Sequence, residues 1–278
     1  MLIDPYLPAV EAALREQSAA LPAGAQLCLL IDGVFVPGLF RQLAGHTPVL
    51  LFASLPGCSE DAKDASPFVV RYDPASAALA RALKRCSGWP MLSAIVTHDT
   101  ADTLARRLAA WCVVEVDGQR FNFRFPDTRR LPAILATLTG AQRAEMLGHA
   151  VSWRHVGRDG SWQELPWVPA GEAPITEKAA LDAIQFARLV SASEPDEMWV
   201  QLQDRGVRCT LAPSKRHALL TNALEVARRS AIDHPDLVRW CSACMRMDAA
   251  DPGTLADSFA RWATDNLRTH DETLSTNA

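Results

Sequence analysis

Two apolar runs, Trp111 to Val116 and Gln119 to Phe125, are separated by the dipeptide Asp117-Gly118, and no other stretch constrains the backbone as tightly. A two-residue loop between strands favours the type I′ turn, whose central residues both need positive φ, and Asp-Gly meets that need. The chain there doubles back as a β-hairpin. Side chains alternate along a strand, so Phe121, Phe123 and Phe125 fall on one face, with Asn122 and Arg124 on the other.

Around this hairpin the sequence alternates short apolar strands with amphipathic helices. Asp4-Pro5 offers an N-cap and first-turn proline for a helix to about Ser18. Strands are expected at Leu27 to Ile31, Val49 to Phe52, Phe68 to Tyr72 and Met91 to Thr97. Asp73-Pro74 starts a helix with Leu79, Ala82, Leu83 and Cys86 on one face, and a further helix spans Ala101 to Ala110. Two helices follow the hairpin, the second opened by the capping box Thr139-Gly140-Ala141-Gln142. A second hairpin turns at Gly157 to Gly160, with Trp153 and Trp162 on its arms. The expected fold class is α/β (α+β): an N-terminal lobe, residues 1–165, with a mixed β-sheet flanked by helices.

Pro166 to Pro174 carries prolines and a glycine and reads as a linker over residues 166–175. Beyond it the strand signals fade. Thr176 to Arg205, Ser214 to Ile232, Pro235 to Met247 and Pro252 to Arg268 all read as helices, giving a mostly α-helical C-terminal lobe over residues 176–268. The second of these carries the stripe Leu220, Ala223, Leu224, Ala227 and Ala231, and Asp251-Pro252 supplies a cap and first turn for the last. Residues 269–278 are polar and read as a flexible tail.

Composition narrows the function. A chain of 278 residues with a formal charge of −4 and a pI near 6.0 lacks the positive excess that a nucleic-acid partner demands. The pairs Arg106-Arg107, Arg129-Arg130 and Arg228-Arg229 read as solvated helix faces. Met1 to Pro5 has no basic, apolar secretory pattern, and no apolar run approaches the ~20 residues a bilayer requires. Most of the seven cysteines sit in apolar runs as reduced, hydrophobic thiols. The expectation is a cytoplasmic protein without membrane insertion.

Motifs for chemistry are sparse. Cys241-Ser242-Ala243-Cys244 would suit a redox pair or half a zinc site, but no second cysteine pair stands at zinc spacing. His98-Asp99 resembles the dipeptide of metal-dependent phosphohydrolases, while Asp99 equally suits capping the next helix. No G-x-S-x-G elbow, P-loop, dinucleotide glycine fingerprint or HExxH pair is present. Asp32, Arg124, Asp127 and Arg129 stand beside apolar strands; Asp127 could cap a helix, and either arginine could pair with a carboxylate or contact a partner.

Taken in order, several segments carry a resemblance. They are Leu30-Ile31-Asp32-Gly33-Val34; Pro67 to Asp73; Gly88-Trp89; Leu104 to Leu108; Asp117-Gly118-Gln119-Arg120; Phe123-Arg124-Phe125-Pro126-Asp127-Thr128-Arg129; and Leu138 to Gln142 with Gly148. From Leu27 to about Trp153 the chain resembles the conserved N-terminal domain of type VI secretion effector chaperones, the Tap or TEC adaptors. That family's hairpin strand usually continues Phe-Arg-Phe-Tyr-Asp-Pro-Arg; here Pro126 replaces the tyrosine and Thr128 the proline. The resemblance implies a non-enzymatic adaptor without cofactor that binds a cognate toxic effector and helps load it onto the VgrG spike. Its motif residues, structural or partner-contacting, are Asp32, Gly33, Asp73, Trp89, Phe123, Arg124, Phe125, Asp127 and Arg129. A hydrolase using His98 and Asp99, or a thiol or metal regulator using Cys241 and Cys244, are the rival readings.

Overall fold

The computed structural model describes residues 1–166, 173–230, 232–247 and 252–267. It divides into two compact units, Met1–Ala192 and Ser193–Ala278. The first is an α+β lobe and the second is helical. Six of the ten residues expected to form the linker, 167–172, lie outside the described residues, as does the tail 269–278.

In the first unit the core strand β1 (Gln26–Ile31) pairs antiparallel with β3 (Phe68–Arg71) on one side and β4 (Leu92–Thr97) on the other. With β2 (Val49–Leu50), β7 (Ala150–Val156) and β8 (Trp162–Glu164) they form a six-stranded antiparallel sheet in the order β2-β3-β1-β4-β7-β8. Both faces are covered, which is why β1 and β4 read as unbroken apolar runs rather than alternating ones. Leu27, Leu29 and Ile31 pack on one side with α1 (Ala9–Ala19) and α3 (Ala77–Cys86). Cys28 and Leu30 pack on the other with α4 (Ala101–Ala110), α5 (Leu131–Thr137) and α6 (Gly140–Leu147).

The hairpin forms a second, smaller sheet on that other face. Its arms are β5 (Val113–Val116) and β6 (Gln119–Asn122), and Asp117 and Gly118 adopt φ of 48° and 77°, as the type I′ turn requires. A short strand, β9 (Ala179–Ala180), joins β5 in parallel and makes this sheet mixed. Thr139 and Gln142 form the expected capping box at α6, with bonds of 2.8 and 3.2 Å. The second hairpin joins β7 to β8 through Gly157 to Gly160, with Trp153 buried and Trp162 half-buried.

Several boundaries differ from the sequence reading. The first helix begins at Ala9 after Pro8 rather than at Asp4, whose N–H donates to the Arg158 carbonyl (2.9 Å). Strand β2 stops at Leu50, where the chain turns, and β3 stops at Arg71. Helix α3 is capped by the Ser76 hydroxyl, three residues beyond Asp73, while its stripe Leu79, Ala82, Leu83 and Cys86 is buried as expected. Strand β6 ends at Asn122; the Phe123 N–H still donates to the Cys112 carbonyl (2.9 Å), and the chain turns away at Arg124 and Phe125.

Thr176 to Asp182 is not helical. Leu181 donates its N–H to Glu115 (2.9 Å) as β9 pairs with β5, so α7 (Ala183–Asp204) starts later. Arg107 is not solvated but lies on the apolar face of α4, and Arg129 and Arg130 precede α5 rather than lying within a helix.

The second unit packs the end of α7 with α8 (Pro213–Arg228), α9 (His234–Met247) and α10 (Pro252–Asn266). Leu220, Ala223, Leu224 and Ala227 form the buried stripe of α8; Ala231 and the expected cap Asp251 lie outside the described residues. Trp240 anchors this core. Its Nε1–H donates to the Ala223 carbonyl (3.0 Å), and its ring meets Phe259 edge-on at 5.0 Å. Among the described residues no helix is long and apolar enough to cross a membrane.

Candidate partner-contact site

Where β1 ends, Asp32 turns the chain into the 3-10 turn Gly33–Phe35. The Asp32 N–H donates to the Met91 carbonyl (2.9 Å), which ties the turn to the start of β4. A side chain at Gly33 would stand 2.3 Å from the Ser66 carbonyl oxygen, so only glycine lets the turn pack there. Asp32 is buried. Its Oδ1 accepts the Val34 N–H (3.2 Å) and its Oδ2 accepts Nη2–H of Arg124 (2.6 Å). Burial pushes the Asp32 carboxyl above its ordinary value, and Arg124 and the Val34 N–H offset this only in part.

Arg124 is delivered by the segment after β6. Phe123 and Phe125 bury themselves against Trp111 and each other, with ring centroids 6.2 and 6.4 Å apart, leaving the residue between them at the surface. The Arg124 guanidinium also sits 5.7 Å from the Phe35 ring centre, and Phe35 stacks on Trp89 at 5.9 Å. Phe35 is the residue the sequence reading missed. It lies in no periodic run, so nothing local marks its role.

Asp127 closes the segment. Its carboxylate takes Arg129 in a two-pronged pair, Nε to Oδ1 at 3.1 Å and Nη2 to Oδ2 at 2.7 Å, and also accepts the Arg129 N–H (3.0 Å). Asp127 therefore braces its own turn instead of capping α5. The Thr128 N–H donates to the Pro90 carbonyl (2.9 Å), fastening the segment beside β4.

All the motif residues except Asp73 thus gather at one end of the six-stranded sheet. Asp73 follows Tyr72, whose N–H donates to the Leu27 carbonyl (2.8 Å) near the start of β1, and it serves a local turn through the Ala75 N–H (2.9 Å).

Beside the Asp32–Arg124 pair opens a cavity of about 180 Å³ walled by Val34, Phe52, Phe123 and Pro126, with Cys112 in its lining. Among the described residues only Nη2 of the guanidinium is engaged in a hydrogen bond, and the Arg124 side chain is 39% exposed. Burial pushes the Cys112 thiol far up, so it presents no thiolate at neutral pH. The arrangement offers recognition: an apolar recess with unspent N–H donors at its rim.

The other candidates lie elsewhere. His98 is exposed, whereas Asp99 is turned inward onto Arg107 (3.1 Å) and His149 (2.9 Å). Thr100, not Asp99, caps α4. Arg107 also donates Nη1–H to the carbonyls of Ala173 (2.8 Å) and Glu145 (3.3 Å), and Gly148 leaves room for it, since a Cβ there would stand 2.3 Å from Nε. A helical wheel marks Arg107 as buried, three residues after Leu104 and one before Leu108, but not its partner.

Cys241 and Cys244 are buried in α9. Burial pushes the Cys241 thiol up to about 12 and the Cys244 thiol further. Among the described residues no three His, Cys, Asp or Glu side chains are placed to hold a metal ion.

Residues 27–145 match the model of the family described as Domain of unknown function (DUF4123). No curated protein and no solved structure matches the chain.

Proposed function

We propose that the protein is a non-enzymatic adaptor that binds a cognate type VI secretion effector in the cytoplasm and helps load it onto the VgrG spike. One observation carries this reading. The stretch matched by the family model contains nearly all the adaptor motifs in order, and the site residues named above, Asp73 apart, converge at a single end of the sheet. The convergence supports a division of labour. Phe123 and Phe125 are core, Asp127 and Arg129 shape the turn, and Arg124 is left at the surface over a recess with the exposed Val34. A partner side chain filling the recess would place a carbonyl or carboxylate within reach of the free guanidinium N–H groups.

The test is co-expression with a candidate effector and a VgrG spike protein, followed by pull-down and size exclusion. The protein is expected to retain the toxin and to bring it to the spike. If wild-type protein holds neither, the adaptor reading fails. Arg124→Ala is expected to weaken one of the two captures while leaving the fold intact.

A further inference from the structure

The helical unit carries a groove that the motif residues do not reach. It lies where the end of α7 meets α9 and α10, as a cavity of about 520 Å³. Its apolar surface comes from the half-buried Val207 and Trp262 and the exposed Pro235, with Leu202 and Val238 buried behind them. Arg205, Arg239 and Arg246 line it as well, all exposed. Arg239 is held by the Asp236 carboxylate on its own helix. Arg246 donates Nη1–H to the Ser242 hydroxyl (3.0 Å), and among the described residues neither Arg246 nor Arg205 has a carboxylate partner. Two of the three arginines are thus left to meet an acidic partner.

We propose that this groove seats an acidic amphipathic helix of a partner protein. Arg239 and Arg246 stand seven residues apart on one face of α9, about 10 Å along its axis. Carboxylates spaced seven residues apart on an aligned helix would match them. The apolar residues three and four positions between those carboxylates would then lie over Trp262, Val207 and Pro235. Arg205, beyond the end of α7, would take a third carboxylate at the rim. A nucleic acid would find only Trp262 to stack on, and the chain's net negative charge opposes it. The inference rests on the adaptor reading only in taking the partner to be the effector; the groove's chemistry stands apart from it.

The probe is a labelled peptide of about 18 residues, five helical turns, with Glu at seven-residue spacing and Leu between. It is titrated against the full chain by fluorescence anisotropy. It is expected to bind, and raised salt is expected to weaken it. The double variant Arg205→Glu, Arg246→Glu should lower affinity about tenfold or more with an unchanged melting temperature. The neutral pair Arg205→Gln, Arg246→Gln should lower it less. Absence of binding, equal binding by the charge-reversed variant, or equal binding of a Lys-for-Glu peptide or a single-stranded oligonucleotide would each overturn the proposal.

The toxin pull-down, repeated with the charge-reversed variant, separates the two readings. Equal capture by both proteins removes the groove as the effector's seat and leaves the adaptor reading standing. No capture by wild type removes the adaptor reading, and the peptide titration then decides the groove alone.

Discussion

Asp32–Arg124 and Asp99–Arg107 are both carboxylate–arginine pairs, set at opposite ends of the same sheet. Asp32 follows the end of β1, while Asp99 lies just past the end of β4, whose Thr97 pairs with Gln26 at the start of β1. Their surroundings differ. The Arg107 side chain is 7% exposed, and its Nε–H and Nη1–H are spent on Asp99 and on backbone carbonyls. The Arg124 side chain is 39% exposed, gives one hydrogen bond among the described residues and borders a cavity. The same two residue types therefore make a closed strut at one end and an open contact at the other. Enclosure, not the pair itself, decides which.

That contrast breaks most readily at the closed end. Arg107→Met takes the arginine from Asp99 and leaves it only His149, so about 3 kcal/mol, the low end for breaking a buried pair, is expected. Urea unfolding should register it. A loss below about 1 kcal/mol, the range of surface pairs, would erase the distinction between the two ends. Gly148→Ala should act in the same direction, because its methyl would stand where Arg107 lies.

Acid sharpens the comparison through His155, whose Cα pairs with that of Ser93 across β7 and β4. Burial lowers the His155 ring to about 4, against 6.5 when unfolded. A depressed folded value stabilises above pH 6.5, and that contribution is lost as pH falls through about 4, worth about 3 kcal/mol in all. Urea midpoints should therefore drop across this window, and His155→Leu should flatten the drop. Asp32 carries the opposite sign. Its raised carboxyl stabilises at low pH and loses that contribution as pH rises, so Asp32→Asn should steepen the acid loss.

The open end should respond less. Arg124→Ala strips Asp32 of its ion-pair partner, but the Val34 N–H remains and solvent reaches the site, so about 1–2 kcal/mol is expected. A partner-capture defect larger than that stability loss would mark Arg124 as a contact. A loss matching Arg107→Met would make it a strut. At the bottom of the scale, Glu164→Ala removes the exposed pair with Arg154 and should change stability by less than about 0.5 kcal/mol in thermal melts.

Much of the framework was legible beforehand wherever a few neighbouring residues decide the outcome. The Asp117-Gly118 turn, the Thr139–Gln142 capping box and the buried stripes of α3 and α8 each follow from backbone preferences or periodicity within a short window. The fold class followed too, since strand-like runs stop near residue 165 apart from the two-residue β9. The failures share a cause. Asp73, Asp99 and Asp127 all had the chemistry of helix caps, yet Ser76, Thr100 and Arg130 hold the cap positions. Several residues there suit the task, and packing a few ångströms away chooses among them.

By itself, then, the sequence determined the hairpin, the alternation of strands and helices, the helical C-terminal half and the order of motifs that suggested an adaptor. Only the tertiary structure decided that Arg124 reaches Asp32 across 92 residues of chain, and that Arg107 is enclosed by carbonyls from Glu145 and Ala173. It alone set Arg205 beside Arg239 and Arg246 around one groove. Turns and periodic faces are written in short-range sterics and side-chain spacing. Whether a charge is buried, braced or left open depends on which distant segments close over it, and that follows from how the whole core packs.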